Sequence, residues 1–408
     1  MKIVITGPTG FVGRQLVPVL IRAGATLLLV ARNPAYARRL FPGVAACGLD
    51  ELDERGRGFD TLVHLSVLNN DASASDDEFR RVNVDLLMET LEAADKAGIP
   101  RFVNVSSVHA LEPGNHTAYA RTKREAAARV RDVASPVVTT VYMPPVHGTR
   151  YGGKLYFLNR FPSGIARRLL HILSAFRPVL DVAVLADFIV AGMPDADLRE
   201  VVLSDGQHGN NVYLSTKRTI DVVASVLFLA TFWWLLAIIW ALVRMQSSGP
   251  AIFAQTRVGL HGREFTLYKF RTMKLGTPHT ASHEASAGAI TRLGHFLRRT
   301  KLDELPQLWN VVRNEVSLVG PRPCLPSQSA LVEARKRRGV LALKPGITGL
   351  AQVNGVDMRE PEYLAKWDAR YLALRSIVLD VKICIATALG GGGGDAVTTP
   401  GRPERKGR

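Results

Sequence analysis

Three cysteines are all that this 408-residue chain contains, and Cys47, Cys324 and Cys384 stand far apart without the spacing of metal ligands. Such scarcity argues against a disulfide framework and fits a reducing compartment. Acidic residues are short as well: 36 Asp and Glu face 52 Lys and Arg, for a net charge of +16. A surface so poor in acids seeks phosphates, anionic lipid or nucleic acid. No DNA- or RNA-binding motif is recognisable, and the basic residues flank an apolar segment instead, so nucleic acid is not expected as a partner. A signal peptide is also missing, because the first apolar run, in MKIVITGPTGFVG, breaks at once into Gly and Pro. It reads as a buried first strand, which predicts a cytosolic N-terminus. Charge vanishes altogether from Val222 to Val243, VVASVLFLATFWWLLAIIWALV. That run is long enough to cross a hydrocarbon core, which takes about 20 residues. A buried core helix is the competing reading, and three tryptophans favour the membrane.

The length allows two domains. In the first, Lys2–Thr6 is a β-branched strand, and Gly7, Gly10 and Gly13 then open an amphipathic helix through Arg22. Glycines in that place let backbone approach a pyrophosphate, which the helix N-terminus stabilises. The second strand, Thr26–Val30, ends at Ala31-Arg32 where an acid would bind a ribose hydroxyl, so NADP is favoured over NAD. Asp50, after the run Val44–Leu49, falls where an adenine contact would lie. Strands at Thr61–Leu65 and Arg101–Val105, with a helix over Phe79–Ala97 between them, continue the βαβ alternation. The strand Phe102–Val105 runs into Ser106-Ser107, and Tyr119 and Lys123 follow, four apart on one helical face. A nearby ammonium would lower the phenol pKa and let Tyr119 exchange a proton with substrate. An ordinary solvated helix is the alternative for that pair alone.

Together these features resemble an extended short-chain dehydrogenase/reductase of the nucleotide-sugar epimerase and reductase type over Met1–Tyr151. The resemblance implies that Ser107, Tyr119 and Lys123 are catalytic and that Gly7, Gly10, Gly13, Arg32 and Asp50 bind the cofactor. Past Tyr151 the stretch to Ser215 is too short for that family's usual substrate lobe. Met143-Pro144-Pro145 stands in place of its Arg-Pro. Cofactor binding is expected to survive, while a 4-keto-sugar reductase, a sensor and a relic scaffold stay open.

The second half is organised around Thr291–Pro323, TRLGHFLRRTKLDELPQLWNVVRNEVSLVGPRP. Asp303 and Glu304 are adjacent acids between Arg298-Arg299 and Arg322. One carboxylate can attack phosphorus while the other holds a divalent cation, and the arginines can grip phosphate oxygens. Helix capping by the two acids is the bland alternative. The pieces around them are KR-x-x-D at Lys217–Asp221, SSGPAIFAQTRVG at Ser247–Gly259, YKFRTM at Tyr268–Met273, LDELPQLWNV at Leu302–Val311, VGPRP at Val319–Pro323 and KPGITGLAQVNG at Lys344–Gly355. In that order, they resemble the bacterial sugar transferases that load a sugar 1-phosphate onto a polyprenyl phosphate, the monotopic phosphoglycosyl transferases.

That resemblance implies Asp303 as nucleophile on a UDP-sugar and Glu304 as ligand of Mg²⁺. Arg298, Arg322, Lys269 and Arg271 would clamp phosphates, and Asp368 would support the metal or an arginine. It further implies an undecaprenyl-type polyprenyl phosphate acceptor, an anionic bilayer, and a re-entrant helix seated monotopically on the cytoplasmic face of the bacterial inner membrane. A homodimer is left open. Two departures stand out: Trp233-Trp234 replaces the usual Ser-Pro break, and Leu350 replaces a tryptophan.

Ile290, Leu293, Phe296 and Leu297 form an apolar stripe that could lie in the interface or pack on the protein's own core. His279 and His283 read as loop residues, and Asp380 as structural. The expected class is α/β: a Rossmann-like doubly wound parallel sheet, then a re-entrant membrane helix and a small α/β membrane-associated transferase domain with interfacial amphipathic helices. The expected boundaries are 1–205 for the dinucleotide-binding domain, 206–218 for a linker, 219–246 for the membrane helix, 247–389 for the transferase and 390–408 for a disordered basic tail. A membrane-anchored dinucleotide-binding protein with an inactive transferase half is the competing function.

Overall fold

The computed structural model describes residues 1–70, 72–191, 199–246, 248–274, 276–277 and 289–391. His279 and His283, expected as loop residues, and residues 392–408 of the expected tail 390–408 lie outside them. The chain divides into two compact units, Met1–Ser174 with Pro178–Gly206, and Ala175–Arg177 with Gln207–Arg408.

Strands of the first unit are β1 (Lys2–Thr6), β2 (Thr26–Val30), β3 (Ala45–Cys47), β4 (Thr61–His64), β5 (Arg101–Ser107), β6 (Val137–Met143), the short β7 (Val146–His147) and β8 (Leu180–Asp181), and β9 (Glu200–Val202). Its helices are α1 (Phe11–Arg22), α2 (Pro34–Leu40), α3 (Leu52–Arg55), α4 (Asp76–Arg80), α5 (Leu86–Lys96), α6 (Ala118–Arg131), α7 (Ser163–Phe176) and α8 (Val182–Val190). Seven strands form one parallel sheet in the order β3-β2-β1-β4-β5-β6-β9.

Successive residues of a strand face opposite sides, and both faces here need cover. Ile3 and Ile5 pack with Leu16, Leu20 and Leu185 of α1 and α8. Val4, between them, packs with Leu87, Leu91 and Phe102 on the other side. That two-sided burial explains the unbroken apolar runs of β1 and β2. Chain order reverses beside β1, where the glycine turn sits, which is where open α/β sheets bind ligands. The helix expected over Phe79–Ala97 is two helices, α4 and α5, joined by a wider π turn at Arg81–Asp85.

The second unit opens with α9, Asn211–Gln246. It begins before residue 219, so the segment expected as linker is helical from 211 onward. Its first turns are tied to protein: Arg218 donates to the carbonyls of Val311 and Val312, Lys217 pairs with Asp380 at 2.9 Å, and Asp221 accepts from Ser317 Oγ at 2.7 Å. Asp380 also accepts from Tyr213 and Tyr371, which makes it a buried structural acid as expected. Farther along, only 11% of the most apolar window is covered by protein. A core helix would be mostly buried, so α9 is an exposed helix long and apolar enough to cross a membrane. It breaks at Phe232, whose φ of −112° and ψ of 20° are not helical. Proline is therefore not needed for a break directly before Trp233-Trp234.

β10 (Ile252–Val258) and β11 (Glu264–Phe270) form an antiparallel hairpin, and β12 (Ser317–Val319) pairs in parallel with β13 (Gly346–Thr348). Around them lie α10 (Arg292–Thr300), α11 (Gln307–Val312), α12 (Ser329–Arg337), α13 (Leu350–Val353), α14 (Pro361–Leu374) and α15 (Ile377–Ala388). Part of the apolar stripe of α10 packs on the protein's own core. Leu297 and Leu293 pack with Ile239, Val243, Ala251 and Phe270, whereas Phe296 remains exposed.

Candidate active site

Helix α10 aims the acid pair. Its cap, Thr291, accepts the Gly294 N–H through Oγ1. Gly294 sits so close to β11's continuation that a Cβ there would meet the Thr272 carbonyl at 2.1 Å. Arg298 donates from Nε to Thr272 Oγ1 at 2.9 Å, and its Nη1 is buried with no partner among the described residues. The helix ends at Lys301 in the left-handed conformation, φ 57°, and the tight turn Leu302–Glu304 follows. A non-glycine residue in that conformation costs about 1 kcal/mol or more and persists only where its surroundings hold it.

Asp303 is 8% exposed. Burial pushes its carboxyl up to about 6; Lys269 pulls it down, Glu304 adds to the rise, and Arg298 again lowers it. Glu304 accepts from Lys269 Nζ at 2.8 Å and lies 3.7 Å from Arg322 Nη2. Arg257, Gln307, Gly346 and Ile347 join Lys269, Glu304 and Arg322 in lining one cleft.

Arg322 is positioned by close backbone packing. A Cβ on Gly346 would stand 2.0 Å from the nitrogen of Gly320, the residue after β12, so only glycine lets the chain there approach β13 this far. Gly320 N–H donates to Thr348 and Gly346 N–H to Pro321, each at 2.8 Å. Arg257 donates to the Pro323 carbonyl and Arg335 to the Arg322 carbonyl. Arg335 in turn holds Asp368 through Nε and Nη2 at 2.9 and 2.8 Å, both side chains buried.

The expected residues therefore separate. Glu304, Lys269 and Arg322 line one cleft, and Asp303, buried next to Glu304, lies within electrostatic reach of Lys269 and Arg298. Asp368 does not face the cleft; it is enclosed by Arg335 and acts on Arg322 only through the main chain. Arg271 is directed to the Ser248 carbonyl at 3.4 Å, because it follows the end of β11 instead of continuing it. Sequence reasoning missed Arg257, Gln307 and Arg335. The first two stand inside SSGPAIFAQTRVG and LDELPQLWNV; Arg335, in the basic run ARKRR, carries no distinguishing signal.

Among the described residues no three metal-ligating side chains cluster. Two adjacent carboxylates beside a cationic cleft nevertheless fit Mg²⁺, which takes one or two carboxylates and completes its shell with water and phosphate oxygens.

In the first unit, Gly7 adopts φ 65°, and a Cβ on Gly13 would stand 2.6 Å from the Gly7 carbonyl. The turn is thus packed backbone to backbone at the start of α1. Its cap, Gly10, has no side chain between the helix N-terminus and a ligand. This cradle fits a dinucleotide pyrophosphate. Arg14 lies beside it, bonded to the Thr9 carbonyl and the Tyr36 hydroxyl. Arg32 and Asp50 are exposed after β2 and β3.

Ser107 and Tyr119 are hydrogen-bonded at the end of β5. The Tyr119 phenol is raised by burial, with the Ser107 hydrogen bond opposing. It is not lowered by Lys123, as spacing suggested. Lys123 is itself buried, donates to the Val105 carbonyl at 3.2 Å, and is drawn down to about 8 by burial.

The model of the family described as bacterial sugar transferase matches residues 212–391, and that of the NAD dependent epimerase/dehydratase family matches residues 3–192. A Xanthomonas campestris pv. campestris protein, UDP-glucose:undecaprenyl-phosphate glucose-1-phosphate transferase, is 37% identical over 212 residues. That match covers 49% of this chain and 43% of the relative, so the chain spans less than half of that protein's length. A Bacillus subtilis protein, described as uncharacterized sugar transferase EpsL, is 38% identical over 171 residues, 42% of this chain and 84% of the relative. A solved structure of MoeE5 in complex with UDP-glucose and NAD aligns with 50% of this chain and 75% of its own at 21% identity, with a TM-score of 0.39.

Proposed function

This chain belongs to the bacterial sugar transferase family, and we propose that it transfers a sugar 1-phosphate from a UDP-sugar to a polyprenyl phosphate through Asp303. The observation that carries the proposal is the buried Asp303 carboxyl beside a cleft lined by Lys269, Arg322 and Glu304. In the first step an Asp303 oxygen attacks the β-phosphorus. The bond from that phosphorus to the bridging oxygen breaks, and UMP leaves with the electron pair. An acyl phosphate bearing the sugar remains on Asp303. In the second step an oxygen of polyprenyl phosphate attacks the same phosphorus and restores the Asp303 carboxylate.

Burial serves this chemistry because a poorly hydrated carboxylate is a better nucleophile. Arg322, Arg298 and Lys269 would supply positive charge where phosphate oxygens gain negative charge. Glu304, with Lys269 against it, would hold Mg²⁺, whose charge would offset that of the diphosphate. The acceptor is read as an undecaprenyl-type lipid, and the exposed, broken α9 supports a re-entrant seat on the cytoplasmic face of the inner membrane.

The first unit is read as a retained nicotinamide cofactor site with NADP preferred, fused to the transferase to act on its sugar. An alternative in which the transferase half is only an anchor is disfavoured by the convergence of Asp303, Glu304, Lys269 and Arg322. The test is UMP release from a panel of UDP-sugars by the full chain in nanodiscs. A stoichiometric burst without lipid, becoming steady turnover when polyprenyl phosphate is added, is the expected result. Silence with every sugar in both arms would transfer the assignment to the anchor reading.

A further inference from the structure

Residues 151–174 replace the expected substrate lobe, and neither proposed site uses them. They form a 3₁₀ stretch, Gly153–Arg160, followed by α7. One face of α7 is accounted for: Ala166 and Leu170 bury against Leu158 and Val179 in a small core of their own. The opposite face is apolar too. Ile165 and Ile172, seven residues apart on α7, share a helical stripe, and both are exposed, as is Phe161 just before the helix. Tyr156, at 65% exposure, and Phe157 extend the patch onto the preceding turn.

Charge around this patch has one sign. Lys154, Arg160, Arg167 and Arg168 lie among the apolar side chains, and residues 151–174 contain no Asp or Glu. A solvated helix mixes both signs and keeps large apolar groups apart. A continuous apolar stripe edged only by lysine and arginine matches an anionic bilayer, whose phosphates pair with the bases while the acyl boundary takes the apolar groups.

We propose that residues 154–172 form a membrane-docking face through which the N-terminal unit binds anionic lipid. Ile165 and Ile172 enter the acyl boundary, and Arg167 and Arg168 hold headgroup phosphates. Because α9 lies in the same chain, this weak surface acts at the high local concentration of a tethered module.

The test places a nitroxide on Ile172→Cys in the full chain carrying Cys384→Ser; Cys47 and Cys324 are buried. Nanodiscs are made of phosphatidylcholine with or without phosphatidylglycerol, and Glu92→Cys, an exposed site on α5, reports the aqueous baseline. The ratio of oxygen to nickel-chelate accessibility is expected to rise several-fold at 172, but not at 92, when phosphatidylglycerol is present. Arg167→Glu with Arg168→Glu should return it to the aqueous value, and Phe157→Cys provides a second label site if Ile172→Cys misfolds. A label at 172 as aqueous as that at 92 in anionic nanodiscs overturns the proposal. Equal shielding in neutral lipid, or in the double charge reversal, also overturns it, because anionic headgroups would then play no part. UMP release is independent of either result, so failure here leaves the transferase reading standing.

Discussion

Asp303 is held where its charged form is disfavoured, and two consequences follow at the residue scale. Its pKa is raised from 3.8 to about 6, so the carboxylate needed for attack is lost as pH falls through that value. Transfer should fall about tenfold per pH unit below that point, measured as initial rates of UMP release. The same elevation means that the folded state holds this proton more tightly than the unfolded chain. The group therefore favours folding at pH below its unfolded value and is a cost above about 6. Asp303→Asn should melt higher at pH 7.5, by on the order of 1–3 kcal/mol, while losing on the order of 10³-fold or more in transfer. A variant that melts lower, or a profile flat through pH 6, would contradict this assignment. In the other unit, Arg32 is the exposed cation expected to meet a 2′-phosphate. Arg32→Glu should weaken NADPH binding at least about tenfold relative to NADH in nicotinamide fluorescence titrations. An unchanged ratio would remove Arg32 from cofactor choice.

At the scale of elements, legibility followed sequence distance. The β1 glycine turn and the Leu302–Glu304 turn are local, so their residues could be named from spacing and resemblance. Arg335 could not, because its partner Asp368 lies on another helix and nothing in ARKRR distinguishes the buried arginine from its solvated neighbours. Asp368 was recognised as important but misplaced for the same reason. The close approach of Gly320 and Gly346 was likewise hidden, since a turn glycine and a packing glycine look alike in one sequence. Tyr119 shows the limit of spacing arguments about charge: burial outweighed the lysine four residues away. Arg335 gives the test at this scale. Arg335→Met leaves a buried, unpaired Asp368 and should cost about 3–5 kcal/mol in a thermal or urea melt. Adding Asp368→Leu should recover most of that stability without restoring the transfer rate, because the Arg322 carbonyl still lacks its donor. Full recovery of both would make the pair purely structural.

On the scale of the whole molecule, the account joins a nicotinamide-binding unit to a transferase through one apolar helix. Under the proposed function the nicotinamide cofactor and the UDP-sugar both come from the cytosol, which requires the two ends of α9 to lie on one side of the membrane. The break at Phe232 and the tethering of Lys217, Arg218 and Asp221 to the transferase unit favour that arrangement. Single cysteines at His208 and Ser248, in a Cys384→Ser background, should both react with an impermeant maleimide in inverted vesicles and neither in right-side-out vesicles. One reacting from each side would make α9 a full crossing and place the two units apart.

The central claim is that Asp303 itself carries the sugar phosphate. The measurement is intact mass spectrometry of the full chain in nanodiscs with Mg²⁺ and each UDP-sugar, without lipid acceptor, beside Asp303→Asn. The account predicts a mass increase of one sugar phosphate with a single class of donor, absent from the variant and discharged by polyprenyl phosphate. Turnover with no adduct, or an adduct that survives in Asp303→Asn, would contradict it.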